Sequence, residues 1–291
     1  ADHLSLTTAA LPFADFIRHV ALRTPGRNIV ARKRLLGVTY PFLSGLMARG
    51  LADQLHDTMS YKTYGWAHRH VNWTQTTNRS LVYWNMRWDS AAQLETALRD
   101  GVVQQHIFLI THNIDRPVYP QYVLDHPKIL KVFGVHIPHN LTHPKLVPLP
   151  YGIRPGKMTR LSRFRARPGA HNATVGDITQ YPLMARFGTV GYEKSVRERR
   201  LNISQILLKE FGAYQNSTEK IPKQEYYHHL LRYKFIASPS GNGLETYRTW
   251  ESLYLGRVPV VPHTFDPQSL DRLPVVRVRD WHELRAEGLN E

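Results

Sequence analysis

The residues best equipped for chemistry lie in one run, Tyr233 to Val261 (YKFIASPSGNGLETYRTWESLYLGRVPVV). Tyr233 to Ser238 has the composition of a strand, and Pro239 to Gly243 reads as a glycine-rich turn. Thr246 to Leu255 reads as a helix stopped by Gly256, and Val258 to Val261 as the next strand. In open parallel sheets a ligand sits beyond the carboxyl end of a strand, against a helix N-terminus. There Gly241 and Gly243, flanked by Ser240 and Asn242, would let backbone amides approach a diphosphate, because glycine adopts geometry that other residues resist. Arg248, near the helix start, could pair with phosphate oxygens. Glu251, one turn on, could accept hydrogen bonds from ribose hydroxyls. The same spacing fits a surface pair of Arg248 with Glu251 equally well.

Several other chemistries are missing from the sequence. Without Cys there is no thiolate nucleophile, no disulfide framework and no Cys-ligated metal. No Gly-x-Ser-x-Gly elbow or P-loop occurs. His68-x-His70 and His228-His229 could ligate a metal, but sixteen His make chance pairs common, and neither pair is expected to have carboxylate support at useful spacing. Lys and Arg total 38 against 23 Asp and Glu, a net +15 that draws in nucleotide phosphates, nucleic acid, acidic headgroups or sulfated glycans. From Arg154 to Arg200 there are 11 basic and 3 acidic residues, so +8 of the +15 sits there. No helix-turn-helix, finger or aromatic RNP-like strand accompanies this charge, so no nucleic-acid partner is expected. Trp66, Trp73, Trp84 and Trp88 cluster in the first half. Their rings could stack on sugar faces, but a core role is the stronger expectation for each.

The elements that must position these groups read as α/β. The 291 residues fit one large domain or two of about 145 each. At 42% apolar and 21% charged, the chain is neither disordered nor collagen-like. Leu11 to Leu22 is broadly amphipathic, and Thr24 opens a turn. Pro41 to His56 has apolar residues at helical spacing, with Pro41 in the first turn. Ser80 to Trp88 is rich in β-formers and runs into an N-cap at Asp89-Ser90 and a helix over Ala91 to Leu98. Gly101 ends that helix, and His106 to Thr111 is a short buried-type strand. Strand, helix, strand at this spacing is a βαβ unit and predicts a parallel sheet. Leu146 to Gly156 (LVPLPYGIRPG) reads as a break, and the basic stretch to Arg167-Pro168-Gly169 as a linker. A second unit then follows, with a strand over Leu183 to Gly188, helices over Val196 to Phe211 and Lys223 to Leu231, and the Tyr233 run. The expected architecture is two Rossmann-like parallel-sheet domains, 1–155 and 156–291, facing a cleft.

Eleven Asn in a chain with 33 Ser and Thr should give about one N-x-[ST] acceptor pattern by chance. Six occur, at Asn72, Asn78, Asn140, Asn172, Asn202 and Asn216. That excess favours passage through the secretory lumen and glycosylation at these positions. No apolar run approaches the ~18 residues of a membrane span. The sequence starts at Ala1, so an anchor or signal outside it is compatible with these features.

The Tyr233–Val261 run resembles the nucleotide-sugar-binding segment of exostosin-like glycosyltransferases, the family 47 type. The matching residues are Ser238-Pro-Ser-Gly-Asn-Gly, Thr246, Arg248, Glu251, Gly256 and Pro259-Val260. Many two-domain (GT-B) transferases share the Glu-to-Gly-x-Pro-Val ending, in which the Glu grips the nucleotide ribose. Phe108 to Asp115 (FLITHNID), Leu124 to Leu130 (LDHPKIL) and Pro144 to Ile153 (PKLVPLPYGI) resemble a second run of the same family. Arg257 departs from the pattern, since exostosin relatives commonly carry Cys there.

The resemblance implies a GT-B fold and transfer of a sugar from a nucleotide diphosphate donor, UDP in the first instance, with inversion. An N-terminal acceptor-side domain would face a C-terminal nucleotide-sugar-binding domain. The acceptor hydroxyl must lose a proton as it attacks the anomeric carbon, a task for a carboxylate or His. Asp115 is the expected base and His112 the runner-up, with Asn113 as an acceptor-binding neighbour and Glu245 as a third candidate. An Asx-turn or a pairing with Arg116 is the alternative role for Asp115. Arg248, Lys194 and Arg197 are expected on the leaving diphosphate. Ser240, Gly241, Asn242, Gly243, Thr246 and Glu251 complete the expected donor site. No Asp-x-Asp occurs, the pair with which transferases of the other main fold hold a divalent ion. No metal is therefore expected, and no cofactor beyond the nucleotide sugar as co-substrate. The expected partners are that donor and a glycan or glycoprotein acceptor, in the secretory lumen at the Golgi, with the cytoplasm as the alternative. The rival expectation is a non-catalytic protein that binds anionic glycans or membranes on the same fold.

Overall fold

The computed structural model describes residues 44–56, 70–154, 157–165, 183–189, 193–211, 221–222, 225–264, 273–285 and 289. The expected helix over 11–22, the turn at Thr24, residues 41–43, the linker at 167–169, Trp66, His68, Asn172 and Asn216 lie outside these residues. The chain divides between Tyr151 and Gly152 into two compact units, where the sequence suggested 155/156.

In the first unit, helix α1 (Gly45–Leu51) is capped by Ser44, whose hydroxyl accepts from the Met47 N–H at 3.3 Å. It stops at Leu51 rather than continuing to His56. Asp53 explains the stop. Its N–H donates to Leu81 O at 2.7 Å and its carboxylate accepts from Leu81 N at 2.8 Å, so the chain is captured by a strand. β1 (Gln54–His56) pairs in parallel with β2 (Leu81–Trp84), and β2 with β3 (Ile107–Ile110). β4 (Ile129–Gly134) and β5 (Leu146–Pro148) continue the sheet in chain order. Parallel neighbours need crossovers. Helix α2 (Trp88–Arg99) supplies one between β2 and β3, and α3 (Gln121–Asp125) lies between β3 and β4. The N-cap of α2 is Arg87 rather than Asp89-Ser90, which leaves Asp89 in the first turn where the helix dipole favours an acid. Leu94 and Leu98 of α2 pack on Val82, Trp84, Leu109 and Val132. Gly134 is required by its neighbour, because a Cβ there would collide with the Tyr119 ring and hydroxyl. β5 falls in the stretch read as a break, and as an edge strand among the described residues it tolerates Pro148. Trp84 is buried and stacked on His56, with ring centroids 3.7 Å apart. Trp88 is instead 81% exposed at the start of α2, contrary to the expected core role.

In the second unit, helix α4 (Met158–Arg165) replaces part of the expected linker. Leu161 and Phe164, three residues apart, are buried, which leaves Arg160 and Arg163 exposed. A second sheet runs β6 (Leu183–Met184), β7 (Phe235–Ala237), β8 (Val258–Pro262) and β9 (Val276–Val278), all parallel and in that order. Three helices accompany it, α5 (Lys194–Phe211), α6 (Tyr226–Leu231) and α7 (Tyr247–Tyr254). Ile203, Leu207 and Phe211 of α5 pack with Leu183, Phe235, Val260 and Trp281. Two parallel-only sheets with helices make an α/β chain compatible with a two-domain Rossmann-like fold, as the βαβ spacing predicts. Among the described residues no helix is long and apolar enough to cross a membrane.

Candidate functional site

The glycine loop leaves the carboxyl end of β7 and leads into α7, as its sequence predicts. Ser238, Pro239, Ser240, Gly241 and Gly243 are buried, and Asn242 is half-buried. Neither Gly241 nor Gly243 has positive φ, which among the described glycines occurs at Gly101, Gly152 and Gly256. Unusual backbone geometry is therefore not their contribution. Lacking side chains in a buried loop, they permit close approach instead. The Ser240 hydroxyl donates to Leu244 O at 2.9 Å, so its proton is committed within the loop. Thr246 occupies the N-cap of α7 without a side-chain cap bond, and its Oγ1 lies 3.3 Å from Thr249 Oγ1. Glu245 is 3% exposed and accepts from Trp250 Nε1 at 2.9 Å. The third candidate base is thus enclosed beside the loop.

The loop is bonded by cations that sequence reasoning missed. Lys194 is exposed at the start of α5, 3.9 Å from Glu198, and Arg197 is also exposed. Arg199 and Arg200, further along α5, reach the loop instead. Arg199 donates to Gly241 O at 3.2 Å, and Arg200 donates to Pro239 O at 2.7 Å and Ser240 O at 2.9 Å.

Glu251 and Arg248 do not form the surface pair that the spacing allowed. Glu251 is fully buried, and both of its oxygens are engaged. Lys157 Nζ lies 2.7 Å from Oε1, and the Tyr226 hydroxyl donates to Oε2 at 2.9 Å. Arg248 is half-buried, donates to the Arg186 carbonyl, and sits 5.9 Å from the Tyr226 ring centroid. Burial, followed by the neighbouring Glu251 charge, pushes the Tyr226 hydroxyl well above its ordinary value, so it remains a donor. Each Glu251 oxygen is thus already an acceptor, and its remaining lone pairs are buried. The Lys157 side chain is 34% exposed, so its ammonium lies between solvent and the buried carboxylate.

In the first unit the predicted residues split into different roles. His112 follows β3 and is 3% exposed. Its Nδ1 accepts from the Asn113 N–H at 2.7 Å, so the ring proton is on Nε2, which donates to Pro150 O at 3.0 Å. Burial pushes its pKa down to about 4. With both nitrogens engaged, His112 cannot accept a proton from an acceptor hydroxyl, which removes the runner-up base. Asn113 adopts φ 62, a left-handed conformation uncommon outside glycine. Asp115, two residues further, is exposed and accepts from the Tyr151 hydroxyl at 3.2 Å.

Tyr151 joins these groups to a second buried imidazole that the sequence did not single out. Its ring stacks parallel to His112, with centroids 5.4 Å apart, and tilts against His136 at 4.4 Å. Burial, followed by the His112 charge, pushes His136 down to about 3. His136 has φ 53, so two left-handed non-glycine residues sit just past the carboxyl ends of adjacent strands. The Tyr83 hydroxyl donates to His112 O at 2.6 Å, fixing the same turn. Asn85, one step past β2, is fully buried, and neither side-chain amide atom has a partner among the described residues. Its position beyond a strand end is the one signal that could have flagged it.

The His70 and His56 ring centroids are 5.3 Å apart and His228 packs edge-on to Phe164, whereas His229 lies 3.8 Å from Glu225, one helical turn back, a carboxylate neighbour that the sequence was not expected to supply. Among the described residues no group of three or more His, Cys, Asp or Glu is placed to hold a metal. Asn72, Asn78, Asn140 and Asn202 are all exposed. The Asn72 side chain accepts from Thr74 N at 3.1 Å and from Thr74 Oγ1 at 2.7 Å. No protein-family model matches the chain, and no curated protein matches it.

Proposed function

We propose that this chain is an exostosin-like, GT-B glycosyltransferase of the secretory lumen, acting at the Golgi. It would move a sugar from a nucleotide diphosphate sugar, with UDP as carrier, to a glycan or glycoprotein hydroxyl, with inversion and without a metal ion. The observation that carries this reading is the β7–loop–α7–β8 unit. A buried Pro-Ser-Gly-Asn-Gly loop leaves a parallel strand, precedes a helix N-terminus and is bonded by two guanidinium groups. That combination suits a diphosphate. In this reading the loop amides and Arg248 stabilise the leaving group. Asp115 takes the acceptor proton as the acceptor oxygen bonds to the anomeric carbon. The bond to the diphosphate breaks, and its electron pair leaves with the diphosphate oxygen. Glu251 meets the ribose once Lys157 swings away, and the released ammonium can then join the phosphates.

Calorimetry with UDP and uridine tests the reading, followed by a screen of nucleotide sugars for hydrolysis. UDP should bind, uridine should bind about tenfold or more weakly, and one sugar should be released with inverted configuration. Absence of UDP binding removes the donor site. The sealed Glu251 favours a second reading, a non-catalytic protein whose basic surface binds anionic glycans or membranes. That reading predicts salt-sensitive binding to heparin or acidic vesicles without any UDP heat.

A further inference from the structure

Arg200 is an unusual occupant of its position. It shares the buried face of α5 with Val196, Ile203 and Leu207 and is 4% exposed. A buried cation is costly unless it is fully hydrogen-bonded. Its guanidinium donates to three carbonyls, Gly188 at 2.7 Å, Pro239 at 2.7 Å and Ser240 at 2.9 Å. It therefore ties the segment after β6 to the glycine loop after β7. The Phe187 ring, 4.9 Å from the guanidinium carbon, packs against it. Arg199 adds a bond to the next loop carbonyl, Gly241, at 3.2 Å. Each peptide plane is trans, so its C=O and N–H point in opposite directions. Drawing the Pro239 and Ser240 carbonyls to the guanidinium turns the N–H groups of Ser240 and Gly241 away from it.

We infer that Arg200, assisted by Arg199, is a positioning residue that aims the Ser240 and Gly241 amides at the donor diphosphate and places positive charge behind them. The inference rests on the donor reading above. It assigns the anion selectivity of the loop to residues on α5 rather than to the glycines, which have ordinary backbone geometry.

The test titrates UDP, uridine and inorganic pyrophosphate into the wild-type protein, Arg200→Lys, Arg199→Ala and the control Arg163→Ala. The control removes one exposed charge from α4. Arg200→Lys keeps the charge but loses the planar fork, so UDP should bind roughly tenfold or more weakly while uridine affinity is unchanged. Arg199→Ala should weaken UDP severalfold, and Arg163→Ala should leave it unchanged. UDP affinity unaltered in Arg200→Lys or in Arg199→Ala, or falling in parallel with uridine in either variant, overturns the inference. If Arg200→Lys does not fold, Arg199→Ala alone decides. A wild-type protein that binds pyrophosphate but not UDP overturns the donor reading, and the same comparison is then made on pyrophosphate. One that binds neither overturns both.

Discussion

Mild acid should destabilise the first unit through two imidazoles that the fold keeps uncharged. His112 and His136 are 3% and 4% exposed, and their pKa values fall from 6.5 to about 4 and about 3. Below 6.5 each ring takes a proton in the unfolded chain, while the folded rings stay neutral until the pH is well under 5. Between those limits the unfolded state binds the extra protons, so stability falls as pH falls and is fully present above 6.5. Each ring costs ~1.4 kcal/mol per pH unit, or about 2 kcal/mol at pH 5 and about 4 for the pair. Their mutual repulsion does not enter, because neither is charged in the folded protein over this window. The assay is urea unfolding followed by Trp fluorescence at about pH 7 and about pH 5, for wild type and His136→Asn. Comparing the two pH values within each protein removes the neutral-pH cost of the substitution. The loss between pH 7 and pH 5 should be about 2 kcal/mol smaller in the variant. Equal losses would refute the claim that His136 is held neutral by burial. His56, pushed down to about 4 chiefly by burial, should add to the wild-type loss in the same direction.

Asp115→Asn should cut turnover by roughly 10²-fold or more with UDP affinity unchanged, as measured by product formation and calorimetry; full activity would remove Asp115 as the base. Lys157→Met strands a buried carboxylate and should lower stability by about 1–3 kcal/mol, less than for a fully buried pair because Lys157 is a third exposed. A double-mutant cycle with Glu251→Gln measures the coupling, and simple additivity would show that the pair contributes nothing. Gly45→Ala places a Cβ 2.8 Å from Asn113 Cβ and 3.1 Å from His112 Nδ1. It should cost about 1–3 kcal/mol in thermal unfolding and also lower turnover by shifting the turn that carries Asp115, and wild-type values for both would refute that packing argument.

The two parallel sheets are legible in the sequence where hydrophobic period switches cleanly, as from Leu81–Trp84 to α2 to Ile107–Ile110. β1 is not legible, because Gln54–His56 continues a helical pattern. The contact that ends the helix joins Asp53 to Leu81, 28 residues away. β5 and α4 hide in a stretch whose Pro, Gly and Arg content reads as loop, and their order comes from pairing with β4 and from burial of Leu161 and Phe164. The glycine loop and its helix are visible from Gly241, Gly243 and Gly256, but the partners of Glu251 are not. Lys157 lies 94 residues from it, beyond any local motif. Arg200 did leave a signal. Val196, Arg200, Ile203 and Leu207 follow helical spacing on one face, and a guanidinium in an apolar stripe must have carbonyls or carboxylates to meet.

The three-residue step from His112 to Asp115 shows why residue type alone could not tell an enclosed side chain from an exposed one. The left-handed turn at Asn113 lets its N–H fold back onto the imidazole, which fixes the tautomer and closes both ring nitrogens to a substrate. The chain then returns to the surface with Asp115 exposed. Tyr151 spans the two, stacking on the locked ring while its hydroxyl donates to the carboxylate. A neutral imidazole bonded at both nitrogens is well suited to that task, since a ring protonated at Nδ1 would lose its bond from Asn113. In the proposed reading, where Asp115 is the base, the buried and neutral His112 supports the Tyr151 ring whose hydroxyl donates to that carboxylate.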